Sequence, residues 1–342
     1  MKNKLSLSLA VTLIILVLVP TLVFAYALGD SQVVAPVPGA GLPEGIATRG
    51  NRFYVSGPAD FGQPLGSAYV HAYDIHTGDL LDTYPINITN PYAGMSAASC
   101  AAFGPDGKLY VLEPFVGVIV MDLDPNNTQS VYAAWTPEGP LLANDLVFDD
   151  EGNLYVTDSF AGTIYKVPAG GGAPEVWFAD PRLLGGGEYP FIIGANGIRI
   201  DRNNKMVYVS VTFDAGLDGK IYRLPLVASP DADDLELFAS LGMYTGPDGI
   251  AFGKSGKLYI AMAASNTITV LNPDGTVNAV YSGPALDSQG TPVPWVGPAN
   301  IAFNDLEGTL LVTNHASLVE PRDPSLFVVF DVFVDDKGAP LK

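Results

Sequence analysis

Asn144-Asp145-Leu146-Val147-Phe148-Asp149-Asp150-Glu151-Gly152-Asn153-Leu154-Tyr155-Val156 returns later in the chain as Asp248-Gly249-Ile250-Ala251-Phe252-Gly253-Lys254-Ser255-Gly256-Lys257-Leu258-Tyr259-Ile260. Each copy has a polar residue, a short apolar run, a turn with glycine, and a second run rich in Leu, Tyr and Val. That is the signature of two short strands joined as a hairpin. Ser99 to Val111 is a third copy, with Asp106-Gly107 in its turn. Asn196 to Val209 is a fourth, one residue longer at the turn. Glu44 to Val55 opens the series with Gly50-Asn51, and Ala299 to Val312 closes it with Glu307-Gly308.

The first position of the pattern falls at 44, 99, 144, 196, 248 and 299, so the spacings are 55, 45, 52, 52 and 51. Such a period suits four short strands and their turns. Further strands are legible at Thr163 to Val167, Pro174 to Phe178, Thr267 to Leu271 and Val277 to Tyr281. The fold expected is all-β, a six-bladed β-propeller. The last unit shows only three strands, at 299–303, 309–314 and 325–334. The stretch Gln32 to Pro38 is expected to supply its outer strand, so that the N-terminal strand of the mature chain closes the ring and covers an edge.

Composition agrees. Of 342 residues, 48% are hydrophobic and only 15% charged, while Gly (37) and Pro (28) are abundant. That much turn chemistry, with few Lys, Glu and Arg to build helix surfaces, favours many short strands. Net charge is −19, from 17 Lys plus Arg against 36 Asp plus Glu. A nucleic-acid partner needs a basic stripe, and an anionic lipid surface a polybasic segment; the chain has neither. Lys2 and Lys4 precede an uncharged run from Leu5 to Ala27 that ends in small residues. This reads as a signal peptide over residues 1–27, which places residues 28–342 outside the cytoplasm, secreted or periplasmic, as one propeller domain and a monomer. The run is also long enough to stay uncleaved as an anchor. No other membrane segment is expected. Cys100, the only cysteine, sits in an apolar stretch and is expected to be a buried structural thiol.

In a propeller the first strand of every blade lines the central channel, so Glu44, Ser99, Asn144, Asn196, Asp248 and Ala299 should face one another, with Asn300 one step later. Four of these six positions carry carboxylate or amide oxygens, and none is Lys or Arg. Acceptors crowded in a narrow channel repel one another and lack donors. A hard divalent cation resolves this. Calcium takes six to eight oxygens in flexible geometry, and one Ca2+ ion is expected. The lack of a Cys or His cluster argues against zinc or copper.

At these residues the chain resembles the gluconolactonase, senescence-marker-protein and luciferin-regenerating-enzyme family, and with it the diisopropylfluorophosphatases and paraoxonases. The resemblance spans roughly 32–334 and rests on Pro43-Glu44-Gly45, Asn144-Asp145, Ala195-Asn196-Gly197-Ile198 and Pro247-Asp248-Gly249-Ile250. It implies a catalytic calcium in the channel. Glu44, Asn144, Asn196 and Asp248 match the metal ligands. Asp248 also matches the general base or nucleophile, and Asn144 an amide that touches metal, substrate or water. Asn300 and His315 match active-site positions of the diisopropylfluorophosphatases. Leu142 stands where sugar-lactone members tend to carry a substrate-binding Arg, which argues against a gluconolactone-like substrate. Ala251 and Ala302 replace ligands of a second calcium, so the expectation stays at one. His71 and His76 fall on a surface strand and turn and are expected to be solvated. Phe115, Phe160, Phe213 and Trp295 are candidates for an apolar wall.

Three readings stay open on residues alone. One is a calcium-dependent hydrolase of lactones or related esters, acting on a small molecule. Another is a non-enzymatic binding propeller with structural calcium, and a third is a phosphotriesterase-type hydrolase.

Overall fold

A computed structural model of the protein describes residues 27–59, 68–88, 97–136, 142–188, 191–201, 203, 205–317 and 319–339. The expected signal segment, apart from Ala27, lies outside them. Six sheets, antiparallel except for one parallel pair in the closing sheet, form a ring. Blade 1 holds Ile46–Arg49, Arg52–Gly57, Tyr69–Asp74 and Leu80–Pro85. Blade 2 holds Ala101–Phe103, Leu109–Glu113, Gly117–Met121 and Gln129–Ala134. Blade 3 holds Ala143–Phe148, Leu154–Asp158, Thr163–Val167 and Glu175–Ala179. Blade 4 holds Ala195–Ile200, Met206–Val211, Asp218–Pro225 and Glu236–Met243. Blade 5 holds Pro247–Phe252, Leu258–Met262, Thr267–Leu271 and Val277–Ser282. Blade 6 has Pro298–Asn304, Thr309–Asn314 and Val328–Phe333 from its own unit.

The fourth strand of blade 6 is Ser31–Pro36, antiparallel to Val328–Phe333, with Gln32 opposite Asp331. The expected closure is therefore present. The sequence reading missed a two-strand extension, Ala285–Leu286 and Pro292–Val293, which pairs onto the far side of Ser31–Pro36. This closing sheet has six strands where the others have four. Such short strands, each of two residues, carry too little pattern to be read from sequence.

The hairpins form because Gly50, Gly107, Gly152, Gly256 and Gly308 all take positive φ in the turn, a region that a side chain disfavours. The second strands, such as Leu154–Asp158 and Leu258–Met262, are buried along their whole length. The outer strands are largely exposed: in Glu175–Ala179 only Trp177 and Phe178 are buried, and Val277–Ser282 has no buried residue. Apolar residues therefore gather between blades rather than in one centre. Six clusters form, each joining neighbouring blades; Phe53 and Tyr73 of blade 1 share one with Leu311 and Val329 of blade 6. A repeated edge-to-face contact helps lock them: Tyr54 to Phe103, Tyr110 to Phe148, Tyr208 to Phe252 and Tyr259 to Phe303.

Two expectations about side chains need adjusting. His71 is not solvated. It lies 4% exposed in the third strand of blade 1, stacked on Tyr69 with its Nδ1 2.9 Å from Thr83 Oγ1. The alternation of Tyr69–Asp74 looks amphipathic, but the face with Tyr69, His71 and Tyr73 is covered by blade 6 and the N-terminal strand. Trp295 is core, stacked on Phe330, and does not stand as a free aromatic wall. His76 is exposed, as expected.

Candidate functional site

The inner strands all enter the channel from one end, and four of them begin with the same irregularity. Two residues oppose one on the second strand: Asn144-Asp145 opposite Thr157, Asn196-Gly197 opposite Ser210, Asp248-Gly249 opposite Ala261, and Ala299-Asn300 opposite Thr313. A bulge of this kind re-aims side chains out of the sheet, here toward the axis. Glycine at the second bulge position lets the next blade approach. A Cβ on Gly197 would meet the Asp248 carbonyl, and one on Gly249 would meet the Asn300 amide.

Hydroxyl groups on the second strands hold this arrangement. Thr157 donates to the Asn196 carbonyl at 2.5 Å, and Ser210 to the Asp248 carbonyl at 2.7 Å. Ser56 donates to the Ser99 carbonyl. In each case a blade grips the start of its successor's inner segment. Sequence reasoning did not single out Ser56, Thr157, Ser210 or Thr313. The signal is there in retrospect: a hydroxyl follows Tyr-Val in Tyr54-Val55-Ser56, Tyr155-Val156-Thr157 and Tyr208-Val209-Ser210.

Glu44, Asn144 and Asn196 are buried, and Asp248 beside them is partly buried with its Oδ1 enclosed. Burial, with the Asp145 charge added, pushes the Glu44 carboxyl up to about 8. Asp248 lies well above the usual carboxylate range, through burial first and then the charges of Glu44 and Asp145; the Asn196 amide and the Gly249 N–H work against this. Asn144 Oδ1, Asn196 Oδ1 and Asp248 Oδ1 are buried without a hydrogen-bond partner. The orientation of Asn196 is fixed, because its Nδ2 donates to Thr212 Oγ1 at 3.0 Å, and that hydroxyl donates onward to the Pro247 carbonyl. Buried acceptors left unpaired are uncommon in folded proteins and need an explanation. An oxygen-seeking cation would satisfy all three and relieve the crowding of Glu44 and Asp248. No group of three or more His, Cys, Asp or Glu that could hold a metal occurs among the described residues. The donor set here is two carboxylates and two amides, which suits calcium rather than a thiolate- or imidazole-seeking ion.

His315 and Asn300 occupy different levels. His315 Nδ1 lies 3.6 Å from Glu44 Oε2, and its Nε2 is 2.8 Å from the Ala59 carbonyl. Nε2–H donates to that carbonyl, so Nδ1 presents a lone pair to the site. Burial holds this imidazole down at about 4. Asn300 sits deeper. Its Nδ2 donates to Cys100 Sγ at 2.8 Å and its Oδ1 accepts from the Ile301 N–H. Cys100 is buried, as expected, but it faces the channel rather than an apolar core. Ser99 and Ala299 complete the ring without contributing charge.

The second strands also fix the loops around this mouth. Asp158 accepts from the backbone N–H groups of Leu142, Phe160 and Ala161. Glu113 does the same for Phe115 and Val116. Leu142 is buried. At the opposite end of the channel, a cavity of about 680 Å³ is lined by Thr48, Phe103, Phe148, Ile200, Phe252 and Phe303, at or one residue before the ends of the inner strands. These phenylalanines pack on the tyrosines of the preceding blades, which accounts for them structurally.

Comparison with known proteins decides the lineage. Residues 66–303, more than half of the chain, match the family described as SMP-30/Gluconolactonase/LRE-like region. The chain belongs to this family. Its relatives include the diisopropyl-fluorophosphatase of Loligo vulgaris, 25% identical over 310 residues, covering 83% of this chain and 88% of that protein. Among solved structures, the calcium-binding protein regucalcin from Agrobacterium tumefaciens is similar at a TM-score of 0.65 and 18% identity, covering 90% of this chain and 95% of that one. A gluconolactonase from Xanthomonas campestris is similar at a TM-score of 0.59 and 16% identity, covering 86% and 87%. The structural likenesses establish the shared propeller. The family resemblance read from Pro43-Glu44-Gly45 and the three later motifs is thereby confirmed.

Proposed function

We propose that the protein is a calcium-dependent hydrolase of lactones or related esters, with one ion held by Glu44, Asn144, Asn196 and Asp248. The observation that carries this reading is the set of three buried, unpartnered oxygens beside two carboxyls of raised pKa. Membership of a family that includes gluconolactonase and diisopropyl-fluorophosphatase supports the hydrolase half. A bound calcium ion supplies Lewis acidity toward a carbonyl or phosphoryl oxygen.

The chain's own residues would do the rest. Asp248, with Oδ1 free of protein partners, is the group for activating water or attacking the acyl carbon. Asn144 presents its amide oxygen at the same level and orients either ion or substrate. Asn196, pinned by Thr212, keeps its oxygen turned into the channel. His315 offers an uncharged acceptor beside Glu44. Asn300 supports the floor of the site through Cys100.

The protein is further proposed to work as a monomer on a small molecule outside the cytoplasm, after removal of residues 1–27 or anchored by them. The basic N-terminus and apolar run support that placement. The test is a panel of aliphatic lactones, sugar lactones, aryl esters and a phosphofluoridate, followed with calcium and after chelation. Turnover that needs calcium and prefers aliphatic over sugar lactones is expected, since Leu142 offers no charge to a polyol. A protein that binds calcium and turns over none of these compounds would refute the hydrolase reading and favour a binding propeller.

A further inference from the structure

Below Asn144 the channel contains a second level of charge. Asp145 is buried, with a side chain only 2% exposed. Its Oδ1 accepts from Leu146 N at 2.7 Å, and its Oδ2 accepts from Ile198 N at 3.0 Å and from Arg199 Nη1 at 2.6 Å. The Cys100 thiol also hydrogen-bonds to it. The donors come from three separate parts of the chain, and one of them is a guanidinium, which makes a charge-assisted hydrogen bond. Arg199 reaches it from the neighbouring blade. Its side chain is 20% exposed, and its Nη1 also donates to the Ile198 carbonyl. Asp145 is so fully occupied by donors that it is not counted among the ion's ligands.

Three carboxylates, Glu44, Asp145 and Asp248, therefore stand around the proposed ion site, and Arg199 is the cation paired with one of them, Asp145. Subtracting the Asp145–Arg199 pair leaves a charge of −2. We propose that Arg199 is a specificity-determining residue of the ion site. Locked onto Asp145, its guanidinium neutralises the third carboxylate, so that the charge left on Glu44 and Asp248 matches a divalent cation. This rests on the ion site proposed above. The physical basis is that charges a few ångströms apart interact strongly in a partly desolvated channel, and Asp145 is close enough to bias both Glu44 and Asp248. With the guanidinium gone the channel charge becomes −3, and a trivalent ion of similar size gains more than a divalent one.

The experiment compares Ca2+ and Tb3+ binding to the full chain by calorimetry, in wild type, Arg199→Met, Asp145→Asn and the double variant. Thermal unfolding confirms that each is folded. The ratio of terbium to calcium affinity is the readout, because general damage to the site lowers both together. It should rise about 10- to 100-fold in Arg199→Met, the range usual for groups that back a metal's ligands. It should fall in Asp145→Asn, where the guanidinium is left uncompensated, and return near the wild-type value in the double variant. An unchanged ratio in folded Arg199→Met overturns the assignment. Should that variant fail to fold, an unchanged ratio in Asp145→Asn overturns it equally. A wild-type chain that binds neither ion overturns the ion site itself, and Arg199's role with it.

Discussion

The Thr313 hydroxyl, in the last blade, donates to the backbone carbonyl of Glu44, in the first blade, at 2.8 Å. The same oxygen accepts from the Asn300 N–H at 3.0 Å within its own sheet. One side chain thus ties the ends of the ring together and orients a residue of the candidate ion site. Closure of the fold and assembly of the site share an atom.

Replacing Thr313 by Val keeps the shape and removes that atom. It leaves the Glu44 carbonyl and the Asn300 N–H without partners, which should cost about 1–3 kcal/mol of stability. Calcium affinity should fall with it, since Glu44 loses its anchor. Thr313→Ser should retain both. Urea unfolding and calcium titration on the three proteins check this. A Val variant matching wild type in both would separate closure from site geometry.

Asp248→Asn should abolish turnover and leave the propeller folded. It should also blunt the response to calcium. At a hundredfold excess over Kd, an ion that binds only the folded state adds about 2.7 kcal/mol of stability. Wild type should therefore melt several degrees higher with calcium than with chelator, and the variant should show little difference. Scanning calorimetry with parallel assays reads both. Retained activity in Asp248→Asn would eliminate this residue as base or nucleophile.

Removing residues 27–36 strips the outer strand from the closing blade and exposes the Val328–Phe333 edge. Ala35 is fully buried there, in the cluster shared by blades 1 and 6. The melting of the entire chain should shift down in one transition, not lose a small early step. An unchanged melting temperature would mean that the ring holds without this strand.

Asp331 supplies a pH test away from the site. Burial, with Glu307 adding, raises its carboxyl to about 6. The unfolded carboxyl loses its proton near its ordinary value of 3.8. The stability of the protonated folded form is thus full below that pH and is lost as pH rises through about 6. Asp331→Asn avoids this loss. Relative to wild type it should gain on the order of 1–3 kcal/mol at pH 7.5 and little at pH 4. Equal gains at both pH values would show that the effect is packing rather than ionisation.

The parts legible in sequence were those that repeat. Turn glycines, paired apolar runs and the spacing of Glu44, Asn144, Asn196 and Asp248 follow from every blade solving the same problem. The missing strand was legible too, because a six-unit ring with three strands in one unit has an edge to fill. What stayed hidden depends on contacts between blades. Thr157 reads as an ordinary strand residue until the Asn196 carbonyl lies above it. Arg199 reads as a charge on a strand end until blade 3 brings Asp145 against it. Its acceptor is 54 residues away, and nothing local marks it. His71 was misjudged for the same reason: the covering surface comes from elsewhere in the chain.

The joining of Ser31–Pro36 to Val328–Phe333 also sets an order of events. A chain emerging from synthesis can pair the strands of the middle blades as soon as each hairpin is out. It cannot finish the last blade until almost its whole length has appeared, because Ser31–Pro36 waits for a partner some three hundred positions later. Contacts of such sequence separation form slowly. A truncated product would keep an open ring, unpaired strand edges and a Glu44 carbonyl without its Thr313, and so would lack both a sealed fold and a finished site. Closure therefore acts as a check that the chain is complete.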